Sequence, residues 1–525
     1  MNCFLHHPMK CADWLTKKGS GAITALLLLL LIVGLVATPT ITTAQEATLE
    51  SVTEAAADVV ETVTEEVSEP ALADVLSKSN LSPEVQAALV QSLEAANAGA
   101  SAAASATANA NNSWVLISSA LVLMMTIPGL MLFYGGLVRS KNVLSVMMQC
   151  FLSCAIVSVL WMIYGYSLTY STVTFEGDKV PFLNQIFGDL SLFLLAGVES
   201  MDPVSITNVV FQATFAIITP ALIVGAFAER FRFRAFVPFL ILWVTFVYIP
   251  LARMVWSSQG FFKNTYKEIM GIDPLDFAGG NVVHISSGVS ALVLAIYLGK
   301  RRGWPGNDFA PHNLVIAAIG AGLLWVGWFG FNAGSALSSG NQASLAFLAT
   351  HFSAASAALT WTFAEWITRG KPSLLGMISG VVAGLVGVTP AAGYISPLAG
   401  LIIGIVTGLV CFTVVTYVKP ALKVDDSLDV FGIHGCGGMV GATLTGVFAS
   451  AAFNGPDLAA HGATRVALIL SQVGSIIITA LMAGILTLVF VVIIDKVIGI
   501  RPNEEEELVG LDLVDHGEMG YHKLS

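Results

Sequence analysis

From Trp114 onward the chain is a succession of apolar stretches parted by short polar breaks. They fall at 114–137, 143–168, 204–228, 235–256, 279–299, 311–334, 343–367, 373–390, 396–418, 430–453 and 466–495. A bilayer core of about 30 Å takes about 20 residues of apolar helix. The pattern therefore predicts an all-α polytopic membrane protein with eleven transmembrane helices over residues 113–497.

Composition agrees. Of 525 residues, 55% are hydrophobic and only 11% are charged, where a water-soluble chain carries roughly 25% charged residues. A soluble enzyme, a nucleic-acid binder and a disordered scaffold are all excluded. The net charge of −11 belongs to one segment: eleven acids and a single Lys lie between Glu46 and Ala110. The remainder is close to neutral.

The N-terminus carries Lys10, Lys17 and Lys18, then an apolar run at about 22–36, then small and polar residues ending Thr42-Thr43-Ala44-Gln45. That order is a secretory signal peptide, assigned to 1–44, with a retained first helix as the alternative. Cleavage near Ala44 would place the mature N-terminus outside. Residues 45–112 are rich in Ala, Glu, Ser and Thr and hold too little apolar mass to fold alone. They are expected to form a partly helical external extension, with a helix start at Ser82-Pro83-Glu84. Cys150, Cys154, Cys411 and Cys436 all fall inside spans, so no disulfide framework is implied.

An external N-terminus and eleven spans put the C-terminus, residues 498–525, in the cytoplasm. Loops assigned inside contain Arg139, Lys141, Arg230, Arg232, Arg234, Lys300, Arg301, Arg302, Arg369, Lys371, Lys419 and Lys423. Loops assigned outside contain only Lys179, Lys263, Lys267 and Arg465. This bias is the positive-inside pattern and supports that orientation in the inner (plasma) membrane.

Ionisable residues inside spans are costly and are functional candidates. His284 lies eight residues after Asp276 and enters the fifth span from outside, whereas His434 lies five residues after Asp429 and enters the tenth from the cytoplasm. Each span thus opens with an acid, small residues and a buried His. Five spans followed by five of opposite orientation is an inverted-topology repeat, which predicts a central pore lined by both histidines. No His-x-x-x-His, Glu-x-x-His or Cys-x-x-Cys spacing adds ligands, so neither a metal nor a cofactor is expected. Asp276 and Asp429 are also ordinary helix caps.

Phe211, Phe215, Trp256, Asp276 and the segment Trp328-Phe329-Gly330-Phe331-Asn332-Ala333-Gly334-Ser335 all come to the outer ends of their spans. Aromatic belts explain single members; their convergence predicts a cation-binding vestibule.

These residues sit in long, ordered motifs. They include Phe-Tyr-Gly-Gly-Leu-Val-Arg-Ser at 133–140, Ala-Phe-Ala-Glu-Arg-Phe-Arg-Phe at 226–233 and Asp-Phe-Ala-Gly-Gly-Asn-Val-Val-His at 276–284. Gly-Lys-Pro-Ser-Leu-Leu-Gly at 370–376 and Asp425-Asp426 through His434-Gly435 continue the series. From about Trp114 to Tyr521 the chain resembles the ammonium transporters, relatives of the Rhesus proteins. The long acidic extension departs from that family.

The resemblance implies an outer ammonium recruitment site at Phe211, Phe215, Trp256 and Ser335, and a stacked phenyl gate at Phe215 and Phe331. It implies twin pore histidines at His284 and His434, a supporting acid at Asp276, further pore residues at Gln212 and Trp328, and a homotrimer with one pore per subunit. Ammonium or ammonia, with methylammonium as analogue, is the implied substrate. The tail is acidic, and either solvated or similar to the region through which relatives receive a cytoplasmic P-II nitrogen regulator. In the second case Asp426, Asp429, His516 and Tyr521 are the contacts.

An isolated ion loses tens of kcal/mol of hydration in a dry pore, and a cation–π contact returns about 0.5–2 kcal/mol. Deprotonation to ammonia resolves this, and imidazole both donates and accepts a proton near neutrality. Electrogenic uptake is expected, although a pure ammonia channel uses the same residues. A receptor-like sensor and an intramembrane metalloenzyme are the competing functions.

Overall fold

The computed structural model describes residues 83–177, 179–305 and 309–521. The expected signal peptide and residues 45–82 of the extension lie outside the described residues. Two compact units divide the chain, 1–107 and 108–525. In the first, residues 83–107 are helical, and the helix starts at Pro83.

Among the described residues every regular element is a helix. The first, α1, runs Pro83–Met124 and, after a kink at Ile127 within Met125–Leu130, resumes as Met131–Leu137, so the expected boundary at residue 112 falls inside it. α2 joins Val143–Leu160, Trp161–Gly165 and Tyr166–Tyr170. α3 is Pro203–Phe227. α4 joins Phe233–Trp243, Val244–Tyr248 and Ile249–Trp256. α5 is Gly280–Ile285 with Ser286–Leu298, α6 is Leu314–Gly334 and α7 is Asn341–Arg369. α8 is Leu374–Val388, and α9 runs from Pro397–Thr413 through Val414–Val418 to Lys419–Leu422. α10 is Phe431–Gly435 with Cys436–Phe448, and α11 is Arg465–Ile498.

Nine of these helices are long and apolar enough to cross a membrane. The other two predicted runs fall on α8, of 15 residues, and on α10.

The ends follow from local chemistry. The Asp202 carboxylate accepts from the Val204 and Ser205 amides and Pro203 occupies the first turn of α3. The side chains of Asn313, Ser373, Ser396 and Thr464 cap α6, α8, α9 and α11 in the same way. Each satisfies an amide that the first helical turn leaves without a partner. Small residues then let helices touch: a methyl group on Gly404 of α9 would overlap the Ser353 carbonyl of α7, the close approach expected where packing rather than water exclusion joins helices in lipid.

The tail forms two short helices, α12 (Glu504–Val509) and α13 (Leu511–His516). Asn503 and Glu506 cap α12 reciprocally. The Asp512 carboxylate accepts from the Ser145 amide at 2.8 Å, and the Asn142 side-chain Oδ1 accepts from the Leu511 backbone amide at 2.8 Å. Lys141 donates to the carbonyl of Glu507 at 2.8 Å, and Arg232 bonds the Glu506 carboxylate. The tail is packed onto the loop before α2, which corrects the solvated alternative.

Candidate functional site

His284 and His434 lie on the wide π-type turns that open α5 and α10. Such a turn inserts a residue and re-aims side chains. The two helices meet at Gly288 and Gly435, where a methyl group on Gly288 would overlap the backbone of Gly435. That crossing leaves the two Nδ1 atoms 3.2 Å apart and the ring planes 29° from parallel. Both rings are buried. One Nδ1 must donate and the other accept, so the two imidazoles hold complementary tautomers. His284 Nε2 has no protein partner.

The cavity beside the pair is lined by Met125, Phe133, Leu222, Leu324, Trp328 and Phe331, among other apolar groups. Trp328 lies nearly parallel to His284, with 5.5 Å between ring centroids. Its indole N–H donates to the Thr389 hydroxyl at 2.9 Å. Thr389 and the Asn332 carbonyl oxygen are 3.2 Å apart, and the Asn332 amide donates to Thr350 at 2.9 Å. Sequence reading missed this chain because Trp328 and Thr389 are 61 positions apart.

Phe215 and Phe331 sit 4.3 Å apart between ring centroids, above the histidines. Beyond them opens a vestibule lined by Phe215, Trp256, Ser335 and Gln212, with Tyr170, Asn208 and Phe277 as members the motifs did not single out. Phe211 is fully buried and meets Phe215 edge-on at 5.0 Å. It supports the wall instead of lining it. The Ser335 hydroxyl donates to the Phe331 carbonyl at 2.8 Å. Gln212 reaches Asn208 at 3.3 Å and faces the vestibule; it is absent from the lining beside the histidines.

Asp276 does two jobs. Its carboxylate accepts from the amides of Gly279, Gly280, Asn281 and Val282 at 2.6–3.3 Å. Its backbone carbonyl accepts the Trp256 indole N–H at 3.0 Å. At the start of α10 the corresponding cap is Asp426, whose carboxylate accepts from the Phe431 amide at 2.8 Å. Asp426 precedes His434 by eight residues, the interval between Asp276 and His284. Asp429 does not cap α10: it has a positive φ of 62° and pairs with Lys419. The equivalence of Asp276 and Asp429 drawn from sequence is corrected accordingly.

Beyond the Asp426 end of α10, Asp425 bridges two buried arginines, Arg301 at 2.8 Å and Arg230 at 3.3 Å. Burial pulls the Arg230 guanidinium down to about 10. Burial also raises the Asp426 carboxyl, to about 6, against the opposing pull of Lys419. His516 packs edge-on against Phe233, and the Tyr521 hydroxyl is 3.2 Å from His312 Nε2. No group of three His, Cys, Asp or Glu among the described residues could hold a metal ion.

The profile of the Ammonium Transporter Family matches residues 113–521. The chain belongs to that family. It is 45% identical over 411 residues to the ammonium transporter of Bacillus subtilis, covering 77% of this chain and 96% of the relative. The Aquifex aeolicus ammonium transporter is 43% identical over 413 residues, covering 78% and 93%. Among solved structures, Saccharomyces cerevisiae Mep2 superposes with a TM-score of 0.66 at 32% identity, covering 76% of this chain and 88% of Mep2. A structure described as a sensor Amt protein gives a TM-score of 0.70 at 26% identity, covering 78% and 99%. As a member of the Ammonium Transporter Family this is a multi-pass membrane transporter, not an enzyme.

Proposed function

We propose that this transporter recruits ammonium at the outer vestibule, removes a proton, and conducts ammonia past His284 and His434 while the proton crosses separately. Phe215, Trp256 and Ser335 receive the cation and Phe211 backs them. Phe215 and Phe331 are the gate, whose rings must separate for passage. Asp276 holds Trp256 in place and Trp328 forms the pore wall beside His284.

The observation that carries this reading is the Nδ1–Nδ1 separation of 3.2 Å at the floor of an apolar cavity. A naked cation crossing that cavity would forfeit tens of kcal/mol of hydration, whereas a shared imidazole hydrogen offers the proton its own route. Charge and nitrogen arrive together, so uptake is electrogenic and driven by a negative cytoplasm. No cofactor takes part, and methylammonium is the useful analogue.

In this reading the chain loses a signal peptide, crosses the inner membrane eleven times with N-terminus outside and C-terminus inside, and carries an inverted five-plus-five repeat. Support for the repeat comes from paired π-type turns in α4 and α9 and in α5 and α10. The matching caps Asp276 and Asp426 support it too. A homotrimer is favoured by His351, an exposed ionisable side chain within α7, tilted against Trp325 with 5.6 Å between ring centroids. A polar group in that position gains by facing a second subunit instead of lipid. The cytoplasmic face, with Asp429, His516 and Tyr521 around the packed tail, receives a P-II regulator; Asp426 acts there from beneath the surface.

The deciding experiment is current in proteoliposomes after an ammonium jump. Wild type should give current that is absent with potassium, and His284→Ala and His434→Ala should lose it or lose its selectivity. Histidine-dependent alkalinisation without current would identify an ammonia channel, and neither signal from intact trimers would identify a sensor. Failure of a purified P-II protein to bind, with and without ADP, would remove the regulator.

A further inference from the structure

A second cavity, which shares Trp256, Phe277 and Ser335 with the vestibule, has a lysine in its wall. Lys263 lines the cavity shared by Trp256, Asp276, Ser335 and Gln342, and its side chain is 39% exposed. A fixed positive charge beside a cation site opposes occupancy, and the low-dielectric wall of a cleft strengthens the effect. Lys267, four residues further along, adds a second positive charge nearby.

One residue answers both. The Asp273 carboxylate takes Lys263 on one oxygen and Lys267 on the other, each at 3.0 Å. Asp273 is itself only 18% exposed. Burial would raise its carboxyl, yet the two ammonium groups hold it below the usual carboxylate range, so it stays ionised at neutral pH. Nearby, Lys179 is taken up by Glu268 at 2.8 Å. The rim thereby carries one uncompensated positive charge where the lysines alone would impose two.

We propose that Asp273 is a recruitment residue that never touches the substrate: it offsets one of the two lysine charges of the outer rim and so sets the ammonium affinity of the vestibule. This rests on the recruitment reading above. The role belongs to binding alone, because Asp273 lies three residues before the acid that caps α5 and contributes nothing to the histidine pair. Removing its charge should weaken recruitment without slowing the steps beyond the gate.

Asp273→Asn should raise the apparent KM for ammonium current by about two- to tenfold at low ionic strength, the scale of one added unit charge at a partly hydrated site. Maximal current should be unchanged, and raising ionic strength to about 1 M, where the Debye length is about 3 Å, should shrink the difference. Asp273→Asn with Lys263→Gln removes one charge of each sign and should return KM toward wild type. Asp273→Glu should keep it. An unmoved KM at low salt, or a fall in maximal current that the Lys263→Gln partner does not repair, would overturn the proposal. Absence of wild-type current would instead overturn the transport reading, so the two failures are distinct.

Discussion

Gly288 and Gly435 touch backbone to backbone, and a single methyl group on Gly288 would overlap the nitrogen and Cα of its partner. The histidines four residues earlier on α5 and one residue earlier on α10 owe their separation to this contact. Neither helix can yield locally, because overlap with backbone has no flexible side chain to move. Gly288→Ala is expected to push α5 from α10, at a stability cost of about 1–3 kcal/mol. The shared hydrogen should be lost with it. Ammonium current should fall to the level of His284→Ala while the protein still elutes at the wild-type volume.

Trp328 offers a milder perturbation. Its indole N–H has Thr389 as acceptor, and Thr389→Val keeps the shape while removing the oxygen. A buried donor left without a partner costs about 1–3 kcal/mol. A lowered melting temperature in detergent is expected, with reduced maximal current as the ring beside His284 loses its anchor. An unchanged maximum would mean that packing alone holds the indole.

Asp425 is expected to be indispensable to folding. Arg230 is fully buried and Arg301 nearly so, and both rely on this carboxylate. Removing one partner from a buried ion network typically costs 3–5 kcal/mol, since an uncompensated charge is left behind. Asp425→Ala should therefore give little assembled protein in the membrane, measured by fluorescence-detected size exclusion.

Asp426 has the opposite character, and pH reveals it. Its folded-state value of about 6 stands above that of an unfolded Asp, about 3.9, so the native state holds this proton more tightly. Stability contributed by the protonated form is lost as pH rises from about 4 to about 6, and the ionised carboxylate costs about 3 kcal/mol above that window. Asp426→Asn keeps an oxygen for the Phe431 amide and escapes the cost. Its melting temperature relative to wild type should be higher at pH 8 than at pH 4.5. A difference independent of pH would show that the carboxylate pays no such penalty.

Much of the helical plan was legible in the sequence, because apolar runs of membrane length carry their own boundaries. The helix start at Pro83 follows from short-range chemistry, whereas the caps at Asp202, Asn313 and Ser373 are seen only in the structure. The two histidines also stood out, since an ionisable group in an apolar run is rare. What depended on three dimensions was less visible. Pairing Asp429 with Asp276 followed proximity to His434, whereas capping depends on which carboxylate reaches the first amides of the turn. Phe211 carries the right ring on the right helix face, yet Gly334 leaves room for it to sink behind Phe215. The docking of the tail rests on bonds such as Lys141 to Glu507, separated by 366 positions, which no local pattern records.

A single hydrogen between two Nδ1 atoms gives the histidine pair handedness. Either His284 or His434 owns it, and the owner carries a bare Nε2 lone pair while its neighbour carries an Nε2–H. In the proposed transport reading, a proton handed along the pair would reverse the ownership, and the pair would emerge as its own mirror image. A second proton in the same direction must wait until both rings are restored to the first arrangement. Turnover would then be paced by the memory of the last passage.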